Sequence, residues 1–443
     1  MTVWDDFGFR DNPYSTQPVP ADEVGERLLV GRDEQIVQLK DYIESADTHA
    51  TIEGSNGVGK TSLVSIAAYQ MFKTHKGNQA APLFVPMSSP FQILHAENLA
   101  DFKLKFLFAL AQEIVRNRVV INHHHSGLRN LDAIDNWINN LMFHGGGGGV
   151  SVNGVGLSAS ISTSPSGTAG FTAIGFESHL REMLSTIFPR RQSGGFVCVL
   201  DNLELLNTSR IARETLESLR DTVLNFPGTR WVLCGARGII RSVASTPRML
   251  GRLAEPMFLR PLSSQDVTMV IARRIEEYKQ DTITYVPVTP EGFQHIYRVG
   301  NSNLRTALKY CEDFVFWLRR NRERPNDDTA KLALLEAWFS EVASEYLRDT
   351  SGLGSRAWGV LDGIAARGGN VSPSDFAEFD FESAQAMRPH LKSLEEATLI
   401  DSSIDESDSR RKTITITPRG WLVRYQRNDY RVPPLEGDAP AYV

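Results

Sequence analysis

Gly54-Ser55-Asn56-Gly57-Val58-Gly59-Lys60-Thr61 is a complete G-x-x-x-x-G-K-[ST] phosphate-binding loop. Each residue type has a chemical reason. Gly54, Gly57 and Gly59 let the backbone turn without a Cβ, so amide N–H groups can aim inward at phosphate oxygens. Lys60 offers a point charge to the β- and γ-phosphates, and the hydroxyl of Thr61 can ligate Mg²⁺. Ser55, Asn56, Val58 and Ser62 complete the cradle through their backbone. The flanks agree with the motif. Thr48 to Glu53 is a short β-prone run, and Ser62 to Phe72 follows with helical spacing, so the phosphates would rest on a helix N-terminus.

Composition sets the outer bounds. The chain has 443 residues, enough for about three domains. A hydrophobic share of 41% and a charged share of 23% are ordinary for a globular protein. The net charge of −6 excludes a general polycation, so any nucleic-acid contact must come from a local patch. Cys198, Cys234 and Cys311 lack metal-ligand spacing and read as reduced thiols of a cytoplasmic protein. Met1 to Pro20 has no apolar centre, so it does not read as a signal peptide, and no stretch approaches a membrane span.

Working outward from the loop, β-like and helical runs alternate from 29 to 262, which predicts a parallel sheet with helices on both faces. Residues 1–27 read as an irregular arm. Leu83 to Met87, Gly195 to Asp201 and Trp231 to Gly235 read as strands. Asn98 to Arg118, Phe176 to Phe188 and Thr208 to Leu224 read as helices. Residues 145–176 carry no charged side chain and open on five glycines. This insert reads either as a low-complexity loop or as a projecting hairpin around Asn153-Gly154 for self-association. His123, His124 and His125 are adjacent, cannot share one face, and read as solvated loop histidines. Beyond Pro261, helices take over. Near Ala330 a further unit begins: Ser355 to Arg367, a run capped at Ser372-Pro373, and Glu382 to Ala397 are helical. Strands at Leu399 to Ser402 and Thr413 to Thr417 then form a hairpin. Three helices followed by a hairpin is the order of a winged helix-turn-helix. The expected parts are thus an arm (1–27), a nucleotide-binding core (28–262), a helical lid (263–328), a winged-helix unit (329–428) and a tail (429–443).

A phosphate loop needs a second Mg²⁺ anchor on a neighbouring strand, and Asp201, closing Phe196-Val-Cys-Val-Leu, is the candidate. Hydrolysis also needs a group to orient water. Asn202 stands where a glutamate often follows such an aspartate, and Glu204 is the nearest acid. Without Glu204 in that role the chain would be a slow hydrolase that uses nucleotide state as a switch. Arginines can neutralise a γ-phosphate. Arg237 follows a strand, Arg248 and Arg252 flank Met249-Leu250-Gly251, and Arg305 lies in Gly300-Asn-Ser-Asn-Leu-Arg. Each alone reads as a surface ion-pair residue; their order along the chain is what singles them out.

That order, from Val30-Gly31-Arg32 through the phosphate loop, the Asp201 strand, Arg260-Pro-Leu-Ser263 and Gly300 to Arg305, resembles an AAA+ ATPase over about residues 28 to 425. It is most similar to the origin-recognition/initiator-like branch and the neighbouring STAND signalling ATPases. The resemblance implies an α/β P-loop NTPase core with a helical lid and a C-terminal winged helix, using ATP and Mg²⁺ and forming a homo-oligomer. It implies that Val30, Gly31 and Arg32 line the adenine pocket and that Asp201 is the metal-associated acid. Arg237 would be the first sensor and Arg305 the second, with Arg248 or Arg252 reaching into a neighbouring subunit. Asn202 departs from the pattern and puts fast hydrolysis in doubt.

The winged helix mixes Gln385, Arg388, His390 and Lys392 with Glu382, Glu395 and Glu396. A dedicated duplex binder shows a cleaner basic face, so double-stranded DNA contact and intramolecular regulation both stay open. Nucleotide state would control oligomerisation and the position of lid and winged helix. The output would fall on DNA, or on an effector protein as in a STAND-like bacterial anti-phage switch, or the chain would be a nucleotide-locked scaffold.

Overall fold

A computed structural model of the chain describes residues 2–93, 97–125, 173–206, 209–236, 238–280, 284–405 and 411–428. The proposed hairpin around Asn153-Gly154 and the proline-rich tail lie outside the described residues.

Five parallel strands form the central sheet: β1 (Ala50–Glu53), β2 (Leu83–Pro86), β3 (Gly194–Leu200), β4 (Thr229–Gly235) and β5 (Met257–Phe258). Their spatial order is β2-β3-β4-β1-β5. Register is fixed by pairs such as Phe84 with Gly195, Cys198 with Trp231, Ile52 with Cys234, and Ile52 with Met257. β3 and β4 are buried along their whole length, as uninterrupted apolar runs predict for strands covered on both faces. On one face the helices Asp33–Ser45 and Lys60–His75 seal Ile52, Val199 and Val232. On the other face lie Leu99–Arg116 and Ala173–Ile187. There Trp231 sits with its ring centroid 5.4 Å from both Phe91 and Phe106.

Three helices, Ser264–Tyr278, Pro290–Val299 and Leu304–Asn321, follow the sheet and form the lid. The long helix Asp328–Arg348 comes next, then Ser355–Ala366, a 3₁₀ stretch Pro373–Phe379 in place of the second full helix, and Ala384–Glu396. Strands β6 (Asn370–Val371), β7 (Ile400–Asp405) and β8 (Arg411–Ile416) make an antiparallel sheet in the order β6-β8-β7, and Pro418–Arg427 closes the chain's described part.

Three readings change. Residues 1–27 are not irregular throughout: Thr2 and Asp5 form a capping box that starts the helix Val3–Phe7, and Asp22 caps Glu23–Leu28. Phe7, Phe9 and Tyr14 of this arm are buried among lid helices, and Phe9 bridges to Lys279. The division expected at 328/329 is not a division of cores. Leu335, Trp338 and Phe339, together with Leu422 and Tyr425 from the last helix, share one apolar cluster with lid residues Phe293 and Phe314. Finally, His123 and His124 end the helix Arg118–His124 instead of lying in a loop. His124 Nε2 lies 3.1 Å from the Lys76 carbonyl, and no metal-ligating cluster occurs among the described residues.

Candidate nucleotide site

The parallel order brings the C-terminal ends of β1 and β3 to one edge of the sheet, where open α/β sheets place their ligands. The phosphate loop leaves β1 there and runs into Lys60–His75. Gly57 and Gly59 both have positive φ, 81° and 100°. A Cβ on Gly59 would meet nothing within 4 Å, so the loop is open on that side, whereas a Cβ on Gly57 would come within 2.6 Å of Asn303 Oδ1. One glycine keeps the cradle clear and the other admits the lid.

Asp201, the residue after β3, accepts a hydrogen bond from Thr61 Oγ1 at 2.5 Å, across 140 residues of chain. Its other oxygen accepts from the Asn202 amide at 2.9 Å. Asn202 holds a left-handed conformation, φ 56°, which asparagine tolerates. Lys60, only 5% exposed, donates to the carbonyls of Gly54 at 2.9 Å and Ser55 at 3.1 Å. A hydroxyl and a carboxylate side by side at a helix start form the hard oxygen donor set that suits Mg²⁺, and the open backbone at Gly59 suits a phosphate chain.

Arg32 is buried and acts on the loop itself: Nη2 donates to the carbonyls of Val58 at 3.2 Å and Arg260 at 2.9 Å. Burial lowers its pKa. Val30 and Arg32 line the cleft; Gly31 instead packs on the Asp266 carboxylate, where an added Cβ would lie 2.5 Å from Cγ. The far wall is the lid. Arg305 and Leu308 line it, and Asn303 Nδ2 donates to the Asn56 carbonyl at 2.7 Å.

The structure therefore gathers Gly54 to Ser62, Asp201, Val30, Arg32 and Arg305 around one cleft. Arg248 and Arg252 stand apart. Arg248 is exposed and paired with Glu217 at 3.0 Å. The Arg252 carbonyl accepts from the His49 amide, at the opposite end of β1 from the loop. Glu204 falls in the 3₁₀ turn Leu203–Leu206, and its side chain lies outside the described residues, as does Arg237.

Sequence reasoning missed four contributions. Thr16, Gln17 and Pro18 of the arm line the cleft. Arg274, buried in the lid, donates to the carbonyls of Pro13 at 3.2 Å and Ser15 at 2.9 Å and so holds the arm over it. Asn303 lies in the Gly300 to Arg305 run, of which the sequence singled out only Arg305. Glu53, the last residue of β1, is 4% exposed, and neither of its oxygens has a hydrogen-bond partner among the described residues. Burial raises its pKa, against the opposing pull of the Arg241 and Lys60 charges. Only the position of Glu53 directly before Gly54 could have flagged it.

A phosphate loop leaving a central parallel strand, faced by an acid that closes another, defines an α/β P-loop fold. Among solved structures, the chain is similar to the Aeropyrum pernix ORC2 protein in ADPNP and ADP complexes: 11% identity, TM-score 0.46, covering 95% of this chain and 98% of that one. The A. pernix ORC1 protein in complex with DNA matches at 14% identity and TM-score 0.46, over 95% and 97%. A Walker-type ATPase of Pyrococcus abyssi matches at 14% and 0.46, over 93% and 99%. No family model and no curated protein matches the chain.

Proposed function

We propose that this chain is an ATP-binding and ATP-hydrolysing protein of AAA+ type, with Mg²⁺ as its metal. The observation that carries the reading is the Thr61–Asp201 hydrogen bond, which assembles a metal-binding hydroxyl and carboxylate beside the phosphate loop. Mg²⁺, when bound, would neutralise developing charge on the phosphates. Lys60 exchanges its carbonyl partners for phosphate oxygens. Gly57 and Gly59 present backbone amides, and Arg305 adds a cation from the lid. Thr16 and Gln17 bound the cleft on the arm side. Glu204 and Arg237 are assigned to water positioning and phosphate sensing. Arg248 or Arg252, both remote from their own cleft, would reach into the cleft of a neighbouring copy, which makes a homo-oligomer part of the reading.

Nucleotide state would set the lid angle and, through the core it shares with the last helix, the position of the winged-helix unit, which acts on DNA or on a protein partner. One observation favours the protein partner. Arg367, Arg419, Arg424 and Arg427 are paired with Glu378, Asp349 and Asp362 at 2.7 to 3.4 Å, so this unit spends much of its positive charge internally. No helix among the described residues is long and apolar enough to cross a membrane.

The test is Lys60→Ala. Removing charge-assisted bonds to phosphate should weaken ATP binding by about tenfold to a hundredfold in a fluorescent-nucleotide titration. Unchanged ATP affinity would refute the loop assignment.

A further inference from the structure

Strands β1, β3 and β4 direct their C-terminal ends at the phosphate loop, so their N-terminal ends form the opposite edge of the sheet. A basin there is lined by Arg190, Arg191, Arg230 and the turn Pro227 to Thr229. Arg230, the second residue of β4, is 5% exposed. Its Nη1 donates to the Thr229 carbonyl at 3.3 Å, while Nε and Nη2 have no hydrogen-bond partner among the described residues. Arg191 donates to the carbonyls of Ala46 at 2.7 Å and Thr48 at 3.2 Å, neutral acceptors that leave its charge uncancelled. Arg190 is exposed at the rim.

Among the described residues no carboxylate forms an ion pair with Arg190, Arg191 or Arg230; Asp47 acts on Arg191 only at longer range. The local field is strongly positive. Buried His49 has its pKa lowered to about 3, first by burial and then by Arg191, Arg230 and Arg252. Arg230 itself is lowered to about 9, by burial and then by Arg191. A buried guanidinium with free N–H donors is destabilising on its own account. Guanidinium groups that line one basin can match the oxygens of a phosphate-class anion in charge and in bidentate donor geometry.

We propose that this basin is a second anion site, separate from the nucleotide cleft, that takes inorganic phosphate or a small phosphorylated molecule. The test starts from Lys60→Ala, which weakens phosphate binding at the loop. Inorganic phosphate and pyrophosphate, titrated calorimetrically, should bind saturably to this variant and about tenfold more weakly to Lys60→Ala/Arg230→Met. Arg230→Met replaces an unpaired buried charge with an apolar chain of similar reach. Its thermal midpoint in phosphate-free buffer should therefore hold or rise, and added phosphate should no longer raise it. A purely structural arginine would instead give a lower midpoint with phosphate stabilisation intact. Should Arg230→Met fail to fold, Arg190→Ala at the exposed rim should weaken phosphate binding several-fold. Equal phosphate affinity with and without these arginines, or no saturable binding to Lys60→Ala, overturns the proposal.

Discussion

Asn303 joins two functions in one side chain, and they can be separated. Its Oδ1 accepts from the Thr306 amide at 3.0 Å and caps the helix Leu304–Asn321. Its Nδ2 donates to the Asn56 carbonyl at 2.7 Å and clasps the lid to the phosphate loop. A cap is worth about 1 kcal/mol, and serine caps as well as asparagine. The clasp, a neutral hydrogen bond, is worth about 1 kcal/mol as well. Asn303→Ser therefore keeps the cap and loses only the clasp; Asn303→Ala loses both. If the clasp holds the cleft in its binding geometry, Asn303→Ser should raise the dissociation constant for a fluorescent ATP analogue by up to about fivefold. Asn303→Ala should add a further drop in thermal midpoint of about 1 °C relative to Asn303→Ser. Fluorescence titration and calorimetric unfolding of the three proteins read both effects. Asn303→Ser with wild-type nucleotide affinity would refute the clasp. Equal midpoints for the serine and alanine variants would refute the cap.

Asp201→Asn keeps an acceptor for Thr61 but removes a full charge beside the metal position. At water-like screening this amounts to about 2 kcal/mol against a divalent ion, or roughly thirtyfold in Mg²⁺-dependent ATP affinity, with metal-free ATP binding unchanged. Equal losses with and without Mg²⁺ would remove the metal role from Asp201. His49 has its pKa lowered to about 3, so the folded state keeps it neutral while the unfolded chain takes up a proton near 6.5. Its contribution is complete above about pH 6.5 and is lost as pH falls toward 3, at about 1.4 kcal/mol per unit. His49→Gln should flatten the loss of thermal midpoint between pH 7 and 5; an unchanged slope would show that other groups set it.

Local chemistry was the part of this molecule legible in the sequence. The phosphate loop, the apolar strand ending at Asp201, and the arginine opening the last lid helix each announce themselves within ten residues. The structure then brings Thr61, Asp201 and Arg305 to one cleft. What could not be read depends on distant partners. The arm looks irregular because its helices are short and its strap is held by lid groups, with the Arg10 amide donating to the Tyr278 carbonyl and the Gln280 amide to the Gly8 carbonyl. The family resemblance implies that Arg32 lines the adenine pocket, and what only distant partners reveal is that its guanidinium braces Val58 and Arg260, a pairing 228 residues apart in its longer reach. Arg230 precedes the strand read from Trp231 and carries no motif; only the packing of β4 between β3 and β1 buries it.

The arm also decides which parts can move separately. Phe7, Phe9 and Tyr14 from the arm and Leu422 and Tyr425 from the last helix are all at most 6% exposed within the lid cluster. Parting these five from the lid would expose side chains worth about 1.5–3 kcal/mol each. The sum is several times the 1–3 kcal/mol that typically couples two sites. Any nucleotide-driven lid motion must therefore carry the arm's first segment and the last helix with it. The same arm is anchored to the sheet domain as well: Val19 and Leu28 are buried against the Lys60–His75 helix, and the Val19 amide donates to Ser62 Oγ at 3.2 Å. Between the two anchors, Tyr14 and Val19, run five peptide steps that cross the cleft. Fully extended they span at most about 17 Å. The strap that forms one wall of the cleft thus also limits how far the lid can open, so cleft width and arm length are one variable in this protein.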